Sequence, residues 1–349
     1  VCATDSGREG ELIFRLVYNK AGCTKPFKRL WISSLEDSAI REGFQHLRDG
    51  KEYDRLYEAA LSRSKADWIV GINGTRLFTT LYHKKLVVGR VQTPTLAMLV
   101  ERDGKISTFQ KEKYFNVHVG KGDLTADLEK VKTEEEAKKI AAACEKKQAV
   151  VSSLKRETKT VNPPKLYDLT TLQREANRYY GFTAQQTLDL VQTLYEKKLL
   201  TYPRTDSQFI TDDMEDTARQ VISIVCRQFP LFSGVLVTPD IARVTDNSNV
   251  TDHHAILPTV QLEKQDVSAL PQSEQKILNL VGMRLLCATG EKHTYAETQI
   301  SLSCESYTFK TKGKTVVQNG WKAIEELFKA SLKTKEKDDP MKSLPEVHE

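Results

Sequence analysis

Asp5-Ser6-Gly7-Arg8-Glu9-Gly10-Glu11 crowds three carboxylates into seven residues. Carboxylates this close repel one another, and a bound cation relieves that repulsion. Oxygen-only donors favour magnesium, and magnesium favours phosphate chemistry. The same acids would also satisfy the positive end of a helix that starts here, so charge alone leaves both readings open. Gly7 and Gly10 permit close approach of backbone.

A second concentration of chemistry is Thr201-Tyr202-Pro203-Arg204-Thr205-Asp206-Ser207. Pro203 disfavours helical geometry at Tyr202, so the tyrosine sits in an extended segment and can point outward. A free phenol, with a pKa of roughly 10, is a poor nucleophile at neutral pH and needs a cation nearby. Arg204, two positions on, shares its side of an extended chain and can grip phosphate oxygens in bidentate fashion. A tyrosine packed against a helix end is the plainer alternative, since the chain has 12 tyrosines and most must be structural. Asp252-His253-His254-Ala255-Ile256-Leu257-Pro258-Thr259 offers His253, whose near-neutral imidazole suits proton relay; a loop histidine capping a helix is its alternative. Val88-Gly89-Arg90-Val91-Gln92-Thr93-Pro94-Thr95 reads as a loop entering a helix, with Arg90 and Gln92 able to meet phosphate or a base edge.

These residues must be carried by several elements, and 349 residues are enough for more than one core. Val1–Gly50 alternates strand and helix in the manner of a parallel α/β sheet: a strand over 1–4, a helix over 9–19 with Leu12, Ile13, Leu16 and Val17 on one side, a strand over 28–32 and a helix over 36–48. Trp31 and Ser33 read as sheet residues. Residues 52–104 read as helical, with Trp68, Ile69, Ile72 and Leu77 on one core face and a helix over 93–102. Strands over 113–160 enclose a helix at 133–147. Asn162-Pro163-Pro164 marks a boundary. Two helices follow, each opened by a capping box, Thr170 with Gln173 and Thr183 with Gln186. The second points Leu188, Val191 and Leu194 inward. Helical stretches return at 213–229 and 271–289, and the alternating stretch 293–318 is expected to pair with the strands of 113–160. Residues 161–290 would then be an insertion in a β domain. The last twenty residues are polar.

The net charge of +5 is compatible with a nucleic-acid partner without making the chain a basic tail. Six scattered cysteines without CxxC spacing give no zinc site and no disulfide framework, and they suit a reducing cytoplasm. No apolar run reaches membrane-spanning length. The chain opens inside a strand, so further residues are expected upstream.

ATDSGREGELI resembles the metal motif of a Toprim domain, and LLTYPRTDS is similar to the active-site signature of type IA DNA topoisomerases. The stretch from Tyr167 to Ser207 reads like one family block. Gly7 stands where many members carry a second aspartate, a form found among bacterial members of the topoisomerase III kind. The resemblance runs over about residues 1–325. It implies a multidomain α/β plus α plus β fold, closed as a toroid. The expected parts are a partial Toprim domain (1–51), a partial helical DNA-binding domain (52–107), a β arch (108–160 and 291–325), and a tyrosine-bearing domain (161–290). A polar tail or the start of a further helical segment fills 326–349.

It implies an ATP-independent transesterification on single-stranded DNA, with relaxation of negative supercoils and decatenation. Tyr202 would be the nucleophile, and Arg204, Glu9 and His253 its catalytic partners. Asp5 and Glu9 would hold Mg2+. Arg8, Arg90, Gln92, Thr93, Asp206 and Ser207 would contact DNA. A monomeric, cytoplasmic, nucleoid-associated protein is expected. These residues by themselves are expected to show little relaxation activity. Two rivals are another Toprim phosphoryl-transfer enzyme, which needs no tyrosine, and a non-enzymatic single-strand binder. The reading requires the Tyr202 phenol, the Arg204 guanidinium and the acidic cluster to meet around one phosphate.

Overall fold

The computed structural model describes residues 1–33, 36–122, 124–235, 237–250 and 252–332. The chain forms two compact units. One comprises Val1–Lys111 with Val250–His253, and the other Glu112–Asn249 with the chain from His254 onward.

In the first unit the elements are α1 (Arg8–Lys20), β1 (Lys28–Arg29), α2 (Asp37–Gln45), β2 (Arg48–Asp49), α3 (Asp54–Tyr82) and α4 (Gln92–Ser107). The expected parallel pairing of the first two strands is reduced to one bridge, Cys2 to Arg29. The ladder that does form is antiparallel, β1 with β2, and β2 replaces the last turn expected of the second helix. Trp31 lies beyond β1 and stacks on Tyr53 at 4.8 Å. In α1 the expected apolar side is largely exposed, with Ile13, Leu16 and Val17 at 50% or more. The buried positions are Gly10, Glu11 and Leu12. The α3 expectation also fails in burial. Trp68 is 69% exposed, Ile69 52%, Ile72 41% and Leu77 56%, so these side chains form no core among the described residues.

The second unit holds β3 (Phe115–Lys121), β4 (Leu124–Val131), α5 (Glu134–Cys144), β5 (Val150–Val161), α6 (Leu169–Tyr180), α7 (Ala184–Glu196), α8 (Glu215–Gln228), α9 (Gln272–Ala288), β6 (His293–Cys304), β7 (Tyr307–Gln318) and α10 (Lys322–Ser331). Its five-stranded antiparallel sheet runs β3-β4-β7-β6-β5. Residues 293–318 thus pair with the strands of 113–160, as alternation suggested. One face of the sheet buries Ile300, Leu302 and Phe309 with Ile140 of α5. A separate apolar core joins α6–α10, including Leu172, Val191, Leu194, Phe229, Phe232 and Leu286. Each such side chain, fully buried, contributes about 1.5–3 kcal/mol.

The Thr183–Gln186 capping box forms in both directions. The Thr170 box does not. Asp168 takes the N-cap of α6 and accepts from Thr171 N at 2.6 Å, leaving Thr170 inside the first turn. A carboxylate two residues upstream is the stronger cap and shifts the start of the helix. Of the polar tail, residues from 333 onward lie outside the described residues.

Candidate active-site residues

The acidic loop of the first unit is held by a buried arginine. Arg29 is fully buried, and its guanidinium donates to the carbonyls of Thr4 and Leu30 at 2.7 Å, Cys2 at 3.3 Å and Asp5 at 2.5 Å. Its Nε lies 2.9 Å from Glu11 Oε2, close enough to pair as ions though off hydrogen-bond alignment. Glu11 is itself fully buried and accepts from Arg15 Nε at 2.9 Å. Glu11 therefore leaves the candidate metal cluster: its charge is matched inside the protein. Position 10 is held to glycine by backbone, since a Cβ there would sit 2.2 Å from the Asp5 carbonyl oxygen. A Cβ at Gly7 would fall 2.0 Å from Asp252 Oδ2, so any larger residue there must displace that carboxylate.

Asp5 and Glu9 keep exposed carboxylates, at 57% and 56%. His253 Nε2 stands 3.5 Å from Asp5 Oδ2, within the first unit. Glu9 is bonded by Arg63 of α3, and Arg8 Nε lies 3.7 Å from it. Arg90 pairs with Asp67 at 2.8 Å. Arg63 and Asp67 stand four residues apart on α3, so one helix face serves both expected motifs. Sequence reasoning passed over this pair; their i, i+4 spacing in RSKAD was the available signal. Val88 N donates to Thr75 Oγ1 at 3.0 Å, which ties the loop before α4 to the same helix. Gln92 opens α4 in the open, and the Thr93 hydroxyl accepts from Gly89 N at 3.0 Å within the turn.

Among the described residues no group of three His, Cys, Asp or Glu side chains could hold a metal. The donors that remain are Asp5 and Glu9. Two exposed carboxylates match the habit of Mg2+, which keeps several waters and takes one or two carboxylates together with substrate phosphates.

In the second unit Tyr202 is half-buried and stands edge-on to Tyr195 of α7, ring centres 5.4 Å apart. Pro203, Thr205 and Ser207 are buried, while Arg204 and Asp206 are exposed. That alternation puts Arg204 and Asp206 outward on a segment whose other side is anchored. The anchors are specific. Thr201 N donates to Leu257 O at 2.9 Å, and Thr201 Oγ1 accepts from Leu257 N at 2.9 Å. Leu169 N donates to Thr205 O at 3.2 Å. The Ser207 hydroxyl donates to Asn249 O at 2.8 Å. Ser207 thus braces the loop from inside.

Beneath the loop lies a second buried cation. Arg284 of α9 donates to Glu175 of α6 and, at 3.3 Å, to the Tyr167 hydroxyl, with its guanidinium 4.4 Å from the Tyr167 ring centre. The Tyr167 hydroxyl donates to Glu175. Burial, with Glu175 beside it, pushes the Tyr167 phenol well above its usual range. Burial works against the charge of Arg284, yet Tyr167 and Glu175 outweigh it and hold the guanidinium above its ordinary value. Tyr167 O accepts from Ile256 N at 2.8 Å, so this cluster also fixes the 254–259 loop that holds Thr201.

Residues 51–349 match a family described as DNA topoisomerase, and the chain belongs to that family. Within it the chain is of the type IA class and closely related to bacterial DNA topoisomerase III. It is 40% identical to DNA topoisomerase 3 of Bacillus subtilis (strain 168) over 357 aligned residues, 99% of this chain and 49% of the relative. It is 41% identical to DNA topoisomerase 3 of Staphylococcus haemolyticus over 332 residues, 93% of this chain and 46% of the relative. The structure of full-length topoisomerase I from Thermotoga maritima matches with a TM-score of 0.70 at 27% identity, over 95% of this chain and 55% of that one. The chain spans about half the length of the curated relatives it matches. No helix among the described residues is long and apolar enough to cross a membrane.

Proposed function

We propose that the protein cuts and reseals one strand of DNA through Tyr202, as the catalytic core of an ATP-independent type IA topoisomerase. The Tyr202 oxygen attacks a backbone phosphorus. The P–O bond to the 3′ oxygen breaks, and a 5′-phosphotyrosyl link forms while the 3′ hydroxyl departs. Bond energy is conserved, so resealing is the reverse attack by that hydroxyl. Arg204, outward beside the tyrosine, stabilises charge on the phosphoryl oxygens. Glu9 gives and takes the proton of the 3′ oxygen, and His253 relays protons or contacts the scissile phosphate. Asp5 and Glu9 would hold magnesium, which supplies positive charge to phosphate oxygens when bound. Arg8, Arg90, Gln92, Thr93 and Asp206 guide single-stranded DNA, and Arg90 must exchange Asp67 for phosphate to do so.

On this reading residues 1–51 are part of a Toprim domain, 52–107 belong to a helical domain, and the five-stranded sheet is the arch of a toroid. The tyrosine domain spans 161–290, and the enzyme works as a monomer on the nucleoid in the cytoplasm. Strand passage relaxes negative supercoils and unlinks catenated DNA. The observation that carries the proposal is the Tyr202–Ser207 loop, buried on alternate residues and bonded through Thr201 and Ser207 so that Arg204 faces out. Mass spectrometry of the chain after incubation with a single-stranded oligonucleotide, with and without magnesium, tests it. A 5′-linked adduct on Tyr202 is expected, absent in Tyr202→Phe. Cleavage that persists in Tyr202→Phe would favour the Toprim phosphoryl-transfer rival.

A further inference from the structure

The sheet of the second unit has one face buried against α5 and one face that is basic. Along β7 burial alternates from Thr308 to Lys314. Phe309, Thr311 and Gly313 are buried, while Lys310, Lys312 and Lys314 are exposed. Register places Ser301, Gln299 and Glu297 of β6 opposite those three lysines. Beyond them on β5 stand Ser153, Lys155 and Glu157, with Lys159 opposite Tyr295. Side-chain geometry agrees with that register. Lys159 pairs with Glu297, and Lys314 Nζ lies 4.9 Å from the Tyr295 ring centre. Hydrogen bonds from Lys159 and Gln299, with Lys312 nearby, hold the Glu297 carboxyl below the usual carboxylate range.

Over β5, β6 and β7 this face carries five lysines against Glu157 and Glu297. On β4, Asp127 opposite Lys310 is engaged by His118 at 2.6 Å. With Asp127 counted, the face carries five lysines against three carboxylates, an excess of positive charge. Residues two apart on a strand are separated by about 6.7 Å and neighbouring strands by about 4.8 Å. Adjacent lysines therefore lie within the Debye length of about 8 Å at physiological salt and reinforce one another.

We propose that this sheet face, through Lys310, Lys312 and Lys314 with Lys155 beside them, docks the phosphate backbone of duplex DNA. The inference rests on the DNA-handling reading above and adds a second contact, separate from the Tyr202 loop. The three β7 lysines span about 13 Å. A duplex presents one phosphate charge per about 1.7 Å of axis, so about eight phosphates lie within that length, and those on the near side meet the lysines. Duplex is favoured over single strand because the aromatic ring on this face, Tyr295, is half-buried and covered by Lys314. Single-strand platforms need open rings on which bases stack.

The test is the full chain with Lys310→Gln, Lys312→Gln and Lys314→Gln together, titrated with a blunt duplex oligonucleotide across a range of salt. The three side chains are exposed, so folding should be unchanged, and the matching triple Lys→Arg variant should bind like the unaltered chain. Losing three phosphate contacts should reduce the slope of log K against log salt by about 2.7. A control pair, Lys138→Gln with Lys139→Gln on α5, should leave the slope unchanged. An unaltered slope in the β7 triple variant, an equal loss in the control pair, or a loss confined to single strands or to anionic phosphatidylserine vesicles would overturn the proposal. Adduct formation at Tyr202 on a short single strand is read separately and should not change in the triple variant. Its absence from the unaltered chain would count against the functional reading and not against the sheet face.

Discussion

Helices α3 and α9 are both long and rich in apolar residues, and they meet opposite fates. In α9, of 17 residues, twelve are buried, from Glu274 to Ala288. In α3, of 29 residues, only Ala60 is buried. The difference lies in what surrounds each helix. Helix α9 runs through the core of the second unit, with α6, α7, α8 and α10 around it. Helix α3 acts through its polar side, where Arg63 meets Glu9, Asp67 meets Arg90 and Thr75 receives Val88 N. The first unit is thus held by buried charge and polar ties around the acidic loop, while the second is held by hydrocarbon. Two kinds of loop follow: one pinned through main-chain carbonyls by Arg29, the other laced to its neighbour through Thr201 and Ser207.

The comparison can be broken at its strongest point first. Arg29→Ala removes the cation from a pair in which Glu11 has no access to water. It should cost about 3–5 kcal/mol in the first unit, followed by urea unfolding with the Trp31 signal. A cost within about 0.5 kcal/mol would show that buried charge does not organise that unit. Leu194→Ala in the second unit should cost about 2–5 kcal/mol by cavity formation, read from the Trp321 environment in the core. The smallest effect sharpens the contrast. Trp68→Ser, at a site 69% exposed, should change stability by no more than about 0.5 kcal/mol, although the helical pattern alone assigns it to a core.

Trp68 shows where reading by pattern stops. Periodicity said that Trp68, Ile69, Ile72 and Leu77 share a helix, and they do; it could not say that a neighbour would cover them. The expected apolar side of α1 failed for the same reason. Its buried residues include Glu11, because an arginine from β1 was waiting to pair with it. Thr183 and Gln186 were legible because a capping box needs only residues three apart. Thr170 was misread because Asp168, equally local, made the better cap. At the candidate site the motifs Asp5–Glu11, Tyr202–Ser207 and His253–Thr259 were visible as residue types. The burial of Ser207 and the partnership of Arg63 with Glu9 were not.

The sequence by itself determined the helices, the alternating strands, the membership of a family and the residues fit for phosphate chemistry. These depend on backbone propensity, on periods of two and 3.6, and on side-chain chemistry, all of which act within a few residues. Only the tertiary structure decided which acids are matched by arginines, which apolar faces are covered, and that His253 comes to Asp5 while Leu257 comes to Thr201. Those outcomes depend on contacts between residues far apart in the chain, where desolvation and partner geometry set the energy and local pattern carries no information about either.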